Sequence, residues 1–378
     1  MKVLLLAGYY LPGYKGGGPI KTISNLIDAT FSNVDYCVIT SDRDLSDEHP
    51  YSNVSIGQWN GIGNCTVFYA ENGVKGLMQL QKIMSSKDYD IVYLNSFFSV
   101  RFSLIPLILA KFYKKPIVLG PRGELSDGAL SLKAFKKRVY IQLYKLLNFA
   151  HGIVFQASSN FEFDDINRVL GNDNKVFIAE DIGSQEYAKD LAVKDNAVVK
   201  LVFISRISPM KNLVYALEVL KYVNCPVIFD IYGPKEDVVY WSDCEAIIKT
   251  LSGHIVVNYK GLLMPSDVVK TLSAYDLFFM PTKGENYSHV IAEALCAGLP
   301  VLIANTTPWR DLEDKGIGWD ISLEEPRQFS LVIEKVSSMS ADSYQEYRQN
   351  VLLWAKIKFS RPEAVNANKA MFAFSLLE

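Results

Sequence analysis

The stretch Asp276–Ile303, DLFFMPTKGENYSHVIAEALCAGLPVLI, decides how the rest of this 378-residue chain reads. The apolar run Leu277–Met280 has the length of a buried strand, and Pro281 to Gly284 form a loop. A helix is expected from about Asn286 to Ala297, closed by Gly298 and Pro300, and Val301–Ala304 reads as a second buried strand. Such a β-α-β unit presents the amino end of its helix, with unpaired N–H groups and partial positive charge, beyond the strand ends, where it suits a phosphate. Two carboxylates, Glu285 and Glu293, flank that turn. On helical backbone rising about 1.5 Å per residue they would lie roughly 12 Å apart along the axis, one near the phosphates and one two turns deeper.

Three more segments repeat the pattern of strand, turn and helix. In Lys200–Leu213, KLVFISRISPMKNL, a strand ends at Ser205, a turn carries Arg206 and Lys211, and a helix starts near Leu213. Two cations in a loop after a buried strand suit a diphosphate, whose growing charge each can neutralise. A local ion pair for Arg206 and a helix face for Lys211 are the plainer reading. At the other end, MKVLLLAGYYLPGYKGGGPIKTISNLIDAT passes from a strand through Gly16, Gly17, Gly18 and Pro19 into a helix from Ile20. Glycines let backbone amides approach a ligand, although a flexible turn has the same composition. The spacing is not Gly-x-Gly-x-x-Gly, which disfavours a dehydrogenase. The third segment, Lys115–Leu130, KPIVLGPRGELSDGAL, places Arg122 after a strand, followed by Glu124 and Asp127. These two carboxylates read either as acceptor-hydroxyl ligands or as a helix cap and an ion pair with Arg122. Val92–Phe98, VYLNSFF, puts Asn95 and Ser96 at another strand end.

Taken in order, Gly-Glu-Asn-x-x-His, Glu-Ala-Leu-x-x-Gly-x-Pro-Val and the Arg206/Lys211 pair resemble the retaining glycosyltransferases of family 4. The resemblance covers nearly the whole chain. It implies an α/β protein of the GT-B fold, two Rossmann-like domains facing across a cleft. By resemblance Glu285 contacts the donor sugar and Glu293 the ribose, while Arg206 and Lys211 bind the donor diphosphate. Asn286, Tyr287, Ser288 and His289 then lie on the donor side, with Gly17 and Gly18 in the first loop of the amino-terminal domain. FDIYGP (Phe229–Pro234) and YKGLL (Tyr259–Leu263) lie beside the nucleotide, which brings in Gly233, Lys260 and Leu262. Arg122 stands where many relatives carry a His beside the donor sugar, so it is placed near the reaction centre, with Asn95, Glu124 and Asp127 on the acceptor side.

The implied activity is transfer of a sugar, with retention, from a nucleotide diphosphate sugar (UDP- or GDP-linked) to a hydroxyl of a glycan or polyprenyl-linked oligosaccharide. Synthesis of O-antigen, capsule or exopolysaccharide is the expected setting. No metal and no other cofactor is expected, because the cations serve the leaving group. An epimerase or glycan phosphorylase of the same fold, and a non-catalytic sugar-binding protein, are the rivals.

Composition agrees. Nearly half the residues are hydrophobic (49%) and the formal net charge is −2, so the chain can bury two cores of ordinary size and no nucleic-acid partner is indicated. Cys37, Cys65, Cys225, Cys244 and Cys296 show no paired or metal-ligand spacing, and His49, His151, His254 and His289 are scattered. The start of the chain runs straight into the glycine loop without a cleavage site, which reads as a cytoplasmic protein. Within Ser131–Phe149, SLKAFKKRVYIQLYKLLNF, Lys133, Lys136, Lys137, Arg138 and Lys145 alternate with apolar residues at helical spacing. That pattern fits peripheral contact with anionic lipid or an ordinary helix with a basic outer face. Polarity between Glu186 and Ala197 suggests a domain boundary: residues 1–192 for the first domain and 193–359 for the second, with 360–378 packing back on the first.

Overall fold

The structure is a computed structural model and describes residues 1–194 and 197–377. Asp195 and Asn196, inside the expected boundary segment, and the terminal Glu378 lie outside the described residues. The chain divides into two units, Met1–Ile182 with Pro362–Glu378, and Gly183–Arg361.

In the first unit the strands are β1 (Lys2–Leu6), β2 (Asp35–Ser41), β3 (Trp59–Ile62), β4 (Cys65–Ala70), β5 (Ile91–Leu94), β6 (Ile117–Leu119), β7 (Ile153–Ala157) and β8 (Lys175–Ile178). They form one sheet in the order β3-β4-β2-β1-β5-β6-β7-β8, parallel except for the antiparallel edge strand β3. Runs such as Ile91–Leu94 are buried along their whole length, as strands covered on both faces must be. Chain order reverses between β1 and β5. The loops leaving those strands therefore flank the topological switch point, where ligands of open α/β sheets bind. The helix Glu363–Ser375 completes this unit, burying Met371 and Phe372 beside Tyr36 and Tyr93.

The second unit has β9 (Val199–Ile204), β10 (Val227–Tyr232), β11 (Ile255–Gly261), β12 (Leu277–Met280), β13 (Val301–Ala304) and β14 (Gly318–Ile321). All pair in parallel in the order β11-β10-β9-β12-β13-β14, with the switch point between β9 and β12. The loop with Arg206 and Lys211 leaves one of these strands and the loop with Glu285 leaves the other.

The unit boundary falls about ten residues before the expected one. The polar segment after Glu186 is tied into the second unit: Ala188 N donates to Cys296 O (3.0 Å), and Lys194 Nζ donates to the Ser337 and Met339 carbonyls (2.7 Å each). Arg348, buried on the helix Ala341–Ser360, fastens the same unit by donating to Gly298 O (3.0 Å), Ala192 O (3.0 Å) and Ser273 O (2.8 Å).

Candidate active site

In the second unit, the loop after β9 is held to its neighbours by backbone bonds. Ser205 N donates to Tyr232 O (3.1 Å) and Ile207 N to Pro234 O (2.8 Å). Gly233 permits this approach: at φ 133° its missing Cβ would stand 1.9 Å from Ser205 O. Asn212 adopts φ 59° before the helix Leu213–Leu220, and its Nδ2 donates to Pro281 O (2.9 Å). From the β12 loop, Lys283 N and Thr282 Oγ1 both donate to Met210 O (2.9 and 3.1 Å). These bonds join the two loops on either side of the switch point.

The join brings Lys211 Nζ onto Glu285 Oε1, with the two side chains 15% and 9% exposed. Arg206 is more open, 43% exposed, and its Nη1 meets Glu236 Oε1 at 2.9 Å. Glu236 was missed in the sequence, although it sits in the β10 loop at the same end of the sheet. Two cations, each leaning on one carboxylate, can exchange that partner for the oxygens of an anion.

The helix after β12 is shorter than expected, His289–Cys296. Ser288 caps it in a left-handed conformation (φ 65°), and Asn286, Tyr287 and Ser288 form a half-buried turn instead of a first helical turn. Trp309 enforces that turn by donating Nε1–H to Tyr287 O at 2.6 Å, with the two rings 5.7 Å apart. Glu285 accordingly lies in the loop, and the 12 Å helical spacing to Glu293 expected from about 1.5 Å per residue does not apply. Glu293 and His289 are both buried on this helix, the His289 ring 4.9 Å from that of Tyr287. Of the secondary residues, Gly233 O accepts from Tyr259 Oη (2.9 Å), Lys260 Nζ lies 3.5 Å from Asp230 Oδ2, and Leu262 is exposed. Asp230, itself buried, also accepts from Tyr275 Oη and Asn258 Nδ2, and the exposed Lys260 reaches this polar cluster from the solvent side.

In the first unit, Gly17 (φ 69°) caps the helix Gly18–Thr30, and space around its Cβ position is open. Arg122, expected near the reaction centre, is held by polar side chains of its own unit. Its guanidinium is buried, with Nε and Nη2 on Asn95 Oδ1 (3.1 and 2.6 Å), Nη1 on Asp181 Oδ1 (2.9 Å), and Nη2 also on the Tyr93 hydroxyl. Burial opposes its charge, but Tyr93, Asp181 and Glu162 outweigh that and raise its pKa. Arg122 thus fixes the Asn95 side chain in the turn beyond β5. Glu124 does not pair with it either. Its carboxylate accepts from Phe97 N (2.6 Å), Phe98 N (3.0 Å) and Ser96 Oγ (2.9 Å), shaping the turn after β5. Burial lifts the Glu124 pKa against those donors. Asp127 is exposed and pairs with Arg168 (2.7 Å) rather than Arg122. Among the described residues no three His, Cys, Asp or Glu side chains assemble as a metal site.

Two parallel-sheet α/β units of this topology define the GT-B class of glycosyltransferase folds. Solved structures share it over the full chain: HepE of Anabaena in complex with UDP and glucose (18% identity, 99% of each chain, TM-score 0.71), sucrose-phosphate synthase from Thermosynechococcus elongatus (12%, 100% of this chain and 99% of that one, 0.77), and WaaG, a glycosyltransferase involved in lipopolysaccharide biosynthesis (13%, 98% of each, 0.66). At these identities the likeness establishes the fold. Residues 185–353 match the family model of glycosyl transferases group 1, so the second unit is a glycosyltransferase domain and the protein is a glycosyltransferase. No curated protein matches the chain.

Proposed function

We propose that the protein moves a sugar from a nucleotide diphosphate sugar to a hydroxyl of a glycan or lipid-linked glycan, with retention at the anomeric carbon. The observation that carries this is the convergence of Lys211, Glu285 and Arg206 at the switch point of a domain whose family model is that of group 1 glycosyl transferases. HepE, solved with UDP, with UDP and glucose, and with UDP-glucose, favours a uridine donor, and the setting of WaaG favours a surface polysaccharide.

On donor binding, Arg206 and Lys211 exchange Glu236 and Glu285 for diphosphate oxygens. Glu285, released, orients the sugar through its hydroxyls, and Glu293 grips the ribose. The bond from the anomeric carbon to the β-phosphate oxygen breaks with its electron pair going to the phosphate, where the two cations stabilise the charge. The acceptor oxygen bonds to the same face of the anomeric carbon, and its proton passes to a leaving-phosphate oxygen. The reaction needs no metal in this scheme and belongs in the cytoplasm, where nucleotide sugars are made.

The test is a thermal-shift and calorimetric screen of UDP-, GDP-, ADP- and dTDP-sugars, with EDTA present, on the wild type and Arg206→Ala. One donor should stabilise the wild type, and transfer should fall about 10²- to 10³-fold in the variant. Because the Arg206–Glu236 pair is surface-exposed, the variant's own stability should change by no more than about 1 kcal/mol. Wild-type turnover by Arg206→Ala, or no response to any donor, rejects the proposal.

A further inference from the structure

The basic segment 131–149 contains the helix Ala134–Leu146, which is apolar on its outward face as well as its inward one. Its inward face is Tyr140, Ile141 and Tyr144, set on Phe97 and Phe98, with the Tyr140 hydroxyl donating to Phe97 O (2.9 Å). Lys137 turns inward as well. Its Nζ lies 5.0 Å from the Phe98 ring centre and donates to Ala129 O (2.6 Å), and burial lowers its pKa. The outward face is aliphatic and aromatic: Phe135 is 79% exposed and Leu146 80%, with Val139 and Leu143 exposed between them.

At about 100° per residue these four side chains fall within an arc of about 80°, nearly opposite Tyr144. Lys136 borders the arc on one side, Arg138 and Lys145 on the other, all exposed. No Asp or Glu occurs from Gly128 to Phe161. Among the described residues no helix is long and apolar enough to cross a membrane.

We infer that this helix lies on an anionic lipid bilayer, with Phe135, Val139, Leu143 and Leu146 sunk to the acyl boundary and Lys136, Arg138 and Lys145 among the headgroup phosphates. An apolar ridge flanked by cations on both sides matches the two layers of such a surface, apolar below and negative above. A second copy of this chain fits less well, because pairing the same face brings cations against cations with no carboxylate to relieve them. The inference adds a place of action to the proposed transfer without depending on it, since lipid binding is read without donor or acceptor.

The test is co-sedimentation of the full chain with vesicles of phosphatidylcholine alone or with about 30 mol% phosphatidylglycerol, at low and high salt. The wild type should partition onto the anionic vesicles, less at high salt, and much less onto neutral ones. Phe135→Ser with Leu146→Ser should reduce partitioning about tenfold or more, and Lys136→Ser with Arg138→Ser should remove most of the salt-sensitive part. These side chains are exposed, so far-UV circular dichroism and the donor thermal shift should be unchanged in both variants. Three results would overturn the inference: no wild-type binding to anionic vesicles at low salt, undiminished binding by the Phe135→Ser, Leu146→Ser double variant, or concentration-dependent dimerisation in sedimentation velocity that the same double variant abolishes.

Discussion

Changing Glu285 to Gln separates two effects that act through one carboxylate. Lys211 Nζ rests on Glu285 Oε1, and both side chains are largely shielded from water. A diphosphate that captures Lys211 must come within roughly 6 Å of Glu285. At that distance the repulsion between unit charges is about 0.7 kcal/mol at a dielectric constant of 80 and about 3 kcal/mol at 20. Gln keeps the shape and an oxygen for Lys211 but removes the charge. A nucleoside diphosphate without its sugar should therefore bind Glu285→Gln more tightly than wild type, by about 3-fold to 100-fold. Turnover should move the other way, about 10²- to 10³-fold down, because the variant loses the charge that opposes the positive charge growing on the sugar ring. Isothermal titration with the nucleoside diphosphate and initial-rate transfer assays read the two quantities separately. Weaker diphosphate binding together with wild-type turnover would refute the reasoning. Lys211→Met is the counterpart: it should weaken the same ligand and strand Glu285 without its cation, costing about 2–3 kcal/mol of stability after allowance for partial exposure.

Arg348→Met should lower the unfolding free energy by about 3–5 kcal/mol in urea titration, since the carbonyls of Gly298, Ala192 and Ser273 lose buried donors at once; a change under about 1 kcal/mol would contradict the clamp. The raised pKa of Glu124 makes a signed prediction. The folded state holds its proton above the ordinary carboxylate value of 4.5, so this residue's stabilising contribution is complete below that pH and is lost as pH rises through the folded value. Glu124→Gln cannot ionise, so the stability advantage of wild type over the variant should shrink as pH rises above about 4.5 in parallel urea titrations. An advantage that grows with pH would mean that the backbone donors of Phe97 and Phe98 outweigh burial.

The elements that position the donor site were legible because each carries a local signal. Leu277–Met280 and Leu201–Ile204 are unbroken apolar runs, and the glycine, proline and charged residues after them mark the strand ends where a parallel sheet binds ligands. What escaped was decided at long range. Tyr287 and Ser288 have helical neighbours, yet Trp309, some twenty residues on, holds the chain out of the helix there. The segment after Glu186 has linker polarity, but polarity does not reveal that its amides and Lys194 find carbonyls in the second unit. Charged residues pose the same difficulty more sharply. A sequence shows that Arg122, Glu124 and Asp127 are close along the chain, and proximity suggests that they pair. In the fold each takes a distant partner instead: Asp181 and Asn95 for Arg122, the turn after β5 for Glu124, Arg168 for Asp127. The reason is geometric. Arg122 stands at the carboxyl end of β6 with φ 58°, a left-handed turn that directs its side chain across the sheet ends toward β5 and β8, while the residues that follow enter a helix leading away. Arg122 therefore holds Asn95, whose carbonyl it occupies from two nitrogens, and a lysine in its place would keep the charge but lose the fork that holds Asn95 and Asp181 together.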